Sequence, residues 1–154
     1  MTTRMTFLFA LCIASLVGLP AEIAVLVGPA NANKDPVTPQ QLKAYEEAFM
    51  EQVKKGDLLF HGDVATAKQM NVILSTTAMA CAMCHPFASD THPHAFPKFQ
   101  VSMNKFATLR DMINWCIEKP NQGEKIDSDS DAMKALEAYI YWSNTGSVLV
   151  PGKY

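Results

Sequence analysis

Apolar residues recur at helical spacing in three segments of the chain. The first segment follows Thr38-Pro39-Gln40-Gln41, which offers a helix cap, a proline at the first helical position and a glutamine three residues after the cap. Its apolar positions are Leu42, Tyr45, Phe49 and Val53. This pattern predicts an amphipathic helix that ends at Gly56.

Two further helices are predicted in the second half of the chain. One spans about 105–119, ends at Pro120 and has apolar positions at Phe106, Leu109, Ile113 and Ile117. The other begins near Ser130, ends before Gly146 and has apolar positions at Met133, Leu136 and Ile140. Residues 56–104 are rich in turn formers, and no segment shows the alternation of a strand. The pattern therefore predicts an all-α fold.

The first 32 residues have a different pattern. Apolar residues fill positions 5–19 almost without interruption after Arg4, and a second apolar run ends in the small-x-small sequence Ala30-Asn31-Ala32. This is typical of a secretory signal peptide (residues 1–32) that is cleaved after Ala32. The alternative is an uncleaved membrane anchor, which Pro20 and Glu22 argue against because they interrupt the apolar stretch.

Cleavage would leave residues 33–154, enough for one domain, in the periplasm or another extracytoplasmic compartment. Cys12 would be lost with the signal peptide. The chain has 13 Lys and Arg against 15 Asp and Glu, and the charges are scattered without a basic stripe. Nucleic acid and an anionic membrane surface are therefore not expected as partners.

The sequence Cys81-Ala82-Met83-Cys84-His85 is the candidate for chemistry. In an exported chain, Cys-x-x-Cys-His is the attachment signature of a c-type haem. Each cysteine sulfur adds to one vinyl group of the porphyrin, and His85 becomes the proximal iron ligand. A zinc site would need a second ligand pair, and a thioredoxin motif would need a βαβ pattern; the sequence offers neither.

One covalently attached haem c between terminal helices predicts a class I cytochrome c fold, in which the N- and C-terminal helices cross. The haem would supply much of the apolar interior of this domain. We therefore expect the apoprotein to be poorly folded.

Several residues are candidates for the second axial ligand. Methionine is the common choice, and three methionines follow the motif: Met103, Met112 and Met133. The candidate histidines are His92 and His94 in a proline-rich loop and His61 upstream of the motif. Each of these six residues also has an ordinary structural interpretation in packing or hydrogen bonding.

Cys116 is the remaining thiol once Cys81 and Cys84 are bonded to haem and Cys12 is removed. An unpaired thiol in an oxidising compartment is unusual. It is interpreted as an inert buried cysteine, as a bridge between two protomers, or as an iron ligand, since thiolate binds haem iron. These residues alone leave the three interpretations open.

The sequences ACAMCHP, THPHAFPKFQ, LRDMINWCIEKP, ALEAYIYWSNTG and PGKY resemble the haem-c domains of SoxA and thiosulfate dehydrogenase cytochromes. They also resemble small monohaem cytochromes with His/Cys ligation, such as the nitric-oxide-binding NaxLS heterodimer of anammox bacteria. The resemblance covers most of the chain from about Gly56 onward. It implies His85 as the proximal ligand and Cys116 as the distal ligand.

With Cys116 as a thiolate ligand the haem would have a low reduction potential, and a haem-binding or electron-transfer role is expected ahead of an enzymatic one, which stays open. Such a protein would transfer electrons with a redox partner, and on reduction Cys116 would leave so that NO or CO binds. A homo- or heterodimer with a similar cytochrome is implied. If the chain comes from an anammox bacterium, the implied compartment is the lumen of the anammoxosome. Two alternatives stay open: a haem subunit of a thiosulfate-oxidising complex, and a plain His/Met electron carrier. A single Cys-x-x-Cys-His and Arg110 as the lone arginine beyond Arg4 argue against a complete thiosulfate enzyme.

Overall fold

Helices α1 (Pro39–Phe60) and α5 (Asp131–Ser143) make the most extensive contact between elements in the computed structural model, which describes residues 36–153. Between them the chain forms helices α2 (Val64–Gln69) and α3 (Cys81–Cys84), strands β1 (Lys98–Gln100) and β2 (Lys105–Ala107), and helix α4 (Leu109–Glu118). The predicted all-α class with packed terminal helices is confirmed, with one short hairpin added. The predicted signal peptide and Cys12 lie outside the described residues.

Helix α1 begins where the sequence predicts and ends later. Thr38 and Gln41 form a capping box, in which each side chain accepts a hydrogen bond from the other's backbone N–H. The prediction that Gly56 ends the helix is wrong. A Cβ at Gly56 would overlap the carbonyl oxygen of Ala135 and lie 2.7 Å from the Cβ of Tyr139. Gly56 therefore lets the backbones of α1 and α5 approach closely.

Gly56→Ala is expected to lower the free energy of unfolding by about 1–3 kcal/mol, because the added methyl forces the two helices apart. In an open helical position the same change would raise stability by roughly 1 kcal/mol. Urea unfolding of the ferric holoprotein, followed by circular dichroism, measures the difference. Lys54→Ala on the exposed side of α1 is the control for helix propensity. A more stable Gly56→Ala variant would show that the helices are not in tight contact here.

The N-terminal half of α1 does not contribute to the core. Val53 is buried, whereas Leu42, Tyr45 and Phe49 are 52%, 58% and 44% exposed. The predicted apolar face is thus wrong for these three residues. The buried positions of α1 are Val53, Gly56, Leu59 and Phe60, because only the C-terminal half of the helix packs against the rest of the domain.

Helix α4 begins four residues after the predicted start at residue 105. Thr108 caps it, and Asp111 completes a capping box by accepting from the Thr108 N–H at 2.9 Å. The ammonium of Lys105 donates to Asp111 at 2.6 Å, and this bond is the largest cause that lowers the pKa of Asp111 to about 2. Residues 105–107 pair with β1, and Phe106 is 68% exposed opposite Phe99. Phe106 is therefore not on the helix face predicted for it.

The core forms where α1, α4 and α5 meet. The predicted apolar positions of the third helix are confirmed, since Met133, Leu136 and Ile140 are at most 4% exposed. From α4, Leu109, Ile113 and Ile117 join them. No helix among residues 36–153 is long and apolar enough to cross a membrane.

Candidate functional site

An apolar cavity of about 240 Å³, here called the central cavity, lies beside this core. Three of the residues predicted to bind haem line it: Cys81, His85 and Cys116. Its apolar walls are formed by Phe60, Phe96, Leu109, Met112, Ile113, Leu136 and Ile140. Its polar lining residues are Asp90, Thr91, His92, Lys98 and Gln100. The fold thus brings Cys116 to the same cavity as Cys81 and His85, which precede it in the chain by 35 and 31 positions.

The Cys-x-x-Cys-His motif forms a single helical turn at one wall. The backbone N–H of His85 donates to the carbonyl of Cys81 at 2.9 Å, so His85 follows directly on the turn. Cys81 is partly buried and Cys84 is exposed. The His85 ring lies with its Nδ1 atom 3.0 Å from Oδ1 of Asp90.

Helix α4 brings Cys116 to the same cavity. Leu109, Met112, Ile113 and Cys116 are spaced i, i+3, i+4 and i+7, so they share one face of the helix, and all four line the cavity. Burial, followed by the influence of Cys84, raises the pKa of Cys116 to about 11. Its sulfur is therefore a neutral thiol at neutral pH unless a positive charge such as ferric iron lies beside it.

Cys81 is in a similar environment. Burial is the main cause that raises its pKa to about 11, and the nearby thiols of Cys116 and Cys84 add to the increase. The three thiols are thus close enough to influence one another. The thiolate is the nucleophilic form of cysteine. Because burial raises the pKa of both thiols, neither cysteine has the low pKa expected of a catalytic thiol.

The structure separates the other candidates for an axial ligand. Met112 and His92 line the central cavity. Met133 is fully buried in the core, and Met103 lies in the short turn after β1. His94 packs edge-on against Tyr141, with ring centroids 5.5 Å apart.

His61 lies at a different cavity. Its Nδ1 is 2.9 Å from the carbonyl oxygen of Asp57, and the residue lines a separate, larger cavity of about 900 Å³. His61 and His94 therefore do not line the central cavity, and their rings make contacts elsewhere in the fold. The alternatives to Cys116 that line the central cavity are Met112 and His92.

Basic groups at the central cavity are few. The guanidinium of Arg110 donates to Glu137 at 2.8 and 3.0 Å and to Asp129 at 3.2 Å, and Arg110 is not among the lining residues. Lys105 is bonded to Asp111. Lys98 lines the cavity, with its ammonium 4.9 Å from the centroid of the Phe96 ring.

The residues present fit a covalently attached haem. The walls are apolar, and an imidazole and a thiol, both ligands that haem iron accepts, line the same cavity with one of the attachment cysteines. Sequence reasoning missed Asp90, Phe60 and Phe96 as parts of this site. Phe60 was not predicted because the sequence pattern ends the first helix at Gly56, four residues before it. Asp90 was not predicted because no spacing rule links a loop aspartate to a histidine five residues before it.

Comparison with known proteins identifies the family of this domain. Residues 70–149 match the family described as SoxA/TsdA, cytochrome c domain. A thiosulfate dehydrogenase from Psychrobacter arcticus is 27% identical over 70 residues, which are 40% of this chain and 21% of that protein. The chain thus spans about a fifth of that relative.

A solved structure has a similar fold. The thiosulfate dehydrogenase TsdBA from Marichromatium purpuratum, in its as-isolated form, superposes with a TM-score of 0.52 at 22% identity. The match covers 87% of this chain and 29% of that one. With more than half of its residues matched by the family, the chain belongs to the SoxA/TsdA cytochrome c domains, and its cofactor is covalently bound haem c.

Proposed function

We propose that this chain is an exported monohaem cytochrome c with a low-potential haem, which transfers electrons and binds a diatomic such as NO when reduced. In this proposal residues 1–32 are a cleaved signal peptide and residues 33–154 are the cytochrome domain. Cys81 and Cys84 carry the thioether bonds, and His85 and Cys116 are the two axial ligands. The observation that carries the proposal is the central cavity shared by Cys81, His85 and Cys116.

The haem supplies a one-electron couple, and its ligands set the potential of that couple. An anionic thiolate from Cys116 stabilises ferric over ferrous iron, so we expect a potential below that of a His/Met cytochrome. The apolar surroundings strengthen this preference, because water does not screen the attraction between thiolate and ferric iron. A redox partner protein would accept or donate the electron.

The character of Cys116 also supports gated binding. Without a cation beside it, burial favours the neutral thiol. If a bound haem iron lost one positive charge on accepting an electron from the partner, the Cys116 sulfur would favour the neutral thiol, with a proton drawn from solvent, and would be a weaker ligand. The neighbouring side chains of α4, Met112 and Ile113, offer an apolar space that suits a small uncharged molecule.

Thiosulfate chemistry has weaker support in this chain. The two thiosulfate dehydrogenases above are much longer proteins. Thiosulfate is an anion, and the arginine that could hold it, Arg110, is bonded to Glu137 and Asp129. A role as the haem subunit of a thiosulfate-oxidising complex would need basic groups from a partner in addition to Lys98, which lines the central cavity. The exposed apolar side chains of Leu42, Tyr45 and Phe49 offer a surface for such a partner or for a second cytochrome.

The ligand assignment is tested by low-temperature EPR of the ferric holoprotein with Cys116→Ala as the variant. We expect a low-spin thiolate-type signal that disappears in Cys116→Ala, while the haem stays covalently attached. Met112→Leu, on the same face of α4, is the matched control and should keep the signal. An unchanged spectrum in Cys116→Ala would contradict the His85/Cys116 assignment.

The same samples test diatomic binding. Reduced holoprotein should change its absorption spectrum on addition of NO, whereas the ferric form should respond far less because Cys116 occupies the distal position. A reduced protein that shows no spectral change under NO would contradict the gating proposal and leave electron transfer alone.

A further inference from the structure

The Nδ1 atom of His85 lies beside the carboxylate of Asp90. Oδ1 of Asp90 lies 3.0 Å from Nδ1 of His85, and Asp90 is the only carboxylate among the described residues that line the central cavity. The two side chains are 39% and 42% exposed in the protein alone. Although the pair is open to solvent, both side chains line the central cavity, so the pair belongs to the site.

The hydrogen bond selects one form of the imidazole. A carboxylate only accepts hydrogen bonds, so the proton of a neutral His85 ring must be on Nδ1. The lone pair is then on Nε2, the nitrogen available to a metal. Asp90 thus keeps His85 in the tautomer that ligation by Nε2 requires.

Asp90 is itself held by the fold. Its backbone N–H donates to the carbonyl of Phe87 at 2.9 Å, within a turn whose Ala88 is buried. The Ala88 carbonyl accepts from the Asn144 side chain at 2.9 Å and from the Thr91 hydroxyl at 2.6 Å. Asn144 is buried at the end of α5, so the core fixes the turn that carries Asp90.

We propose that Asp90 is a positioning residue for His85, which fixes the orientation of the imidazole and lowers the reduction potential of the haem. The inference rests on the proposed role of His85 as proximal ligand, but not on that of Cys116. A carboxylate that accepts from Nδ1 makes the imidazole a stronger donor, as second-shell carboxylates do for metal-bound histidines. Stronger donation and a nearby negative charge both favour ferric iron.

The test compares reduction potentials of purified holoproteins carrying Asp90→Asn and Asp90→Glu. Asparagine keeps an oxygen acceptor and removes the charge, whereas glutamate keeps the charge. We expect Asp90→Asn to lose about tenfold in its preference for ferric iron, a rise of about 59 mV for one electron. Asp90→Glu keeps the charge, so its reduction potential should stay close to that of the wild type. Both variants should keep one covalent haem per chain.

Glu46→Gln is the matched control, because it removes one negative charge from the exposed half of α1. At 1.5 Å per residue, Glu46 is roughly 20 Å along the helix from Phe60, which lines the cavity. If Asp90→Asn shifts the potential no more than Glu46→Gln does, or shifts it downward, the inference is overturned. Should Asp90→Asn not be recovered with haem, Asp90→Ser provides the same neutral test.

The two proposals fail in different ways. A shifted potential in Asp90→Asn with an unchanged EPR spectrum in Cys116→Ala would overturn the His85/Cys116 assignment and keep the role of Asp90. A lost thiolate signal in Cys116→Ala with an unshifted potential in Asp90→Asn would overturn only the inference about Asp90.

Discussion

Replacing Cys81 and Cys84 together with alanine is expected to give a chain that carries no haem and does not reach a stable fold. Without attachment, the central cavity of about 240 Å³ has nothing to fill it. An enclosed apolar cavity costs roughly 24 cal/mol per Å³, so about 6 kcal/mol is the upper limit for this cavity, which is open to solvent on one side. The whole free energy of unfolding of a small domain is about 5–15 kcal/mol. The loss is therefore large enough to decide whether this domain folds.

Circular dichroism and limited proteolysis of the double variant measure this effect against the wild-type holoprotein. We expect reduced helix content and cleavage within residues 64–107, the part of the described chain with the shortest elements. Cys116→Ala is the control, since it removes a thiol from the same cavity and leaves both attachment cysteines. A folded and protease-resistant double variant would show that the apolar walls can close on one another without haem.

The parts of the fold that the sequence predicts well are encoded in patterns of residues near each other in the chain. The Thr38 capping box and the buried Met133, Leu136 and Ile140 of α5 are such cases. The start of α4 was missed because residues 105–107 pair with residues 98–100 across a turn. A short ladder of that kind leaves no alternating pattern long enough to recognise.

Gly56 shows why a local rule fails. Glycine often ends a helix, yet here it lies inside α1 because the Ala135 carbonyl of a distant helix leaves no room for a Cβ. The contact between Asp90 and His85 was also not predictable from local sequence. It depends on a turn that is held by the side chain of Asn144, a residue of the distant end of α5. The motif Cys81, Cys84 and His85 can be recognised from sequence because its signature lies within five consecutive positions.

Cys116→Met is expected to raise the reduction potential of the haem more than any other single substitution at this site. In the proposed ligation it replaces an anionic sulfur ligand with a neutral thioether, which favours ferrous iron. Axial ligands span about 0.8 V of haem potential, so we expect a rise on the order of hundreds of millivolts. Cys116 is only partly buried, and its neighbours on α4 are the flexible Met112 and the apolar Ile113, so the longer side chain can be accommodated.

Spectroelectrochemical titration of the holoprotein measures the potential, and a methionine–iron charge-transfer band in the ferric spectrum would identify the new ligand. Met112→Leu keeps the volume and apolar character of the neighbouring position and should leave the potential near that of the wild type. The opposite result, a potential that moves in Met112→Leu and stays constant in Cys116→Met, would make Met112 the distal ligand. The chain would then be a His/Met electron carrier. It would have no gated site, because a methionine thioether is neutral and cannot be released from iron by taking up a proton on reduction.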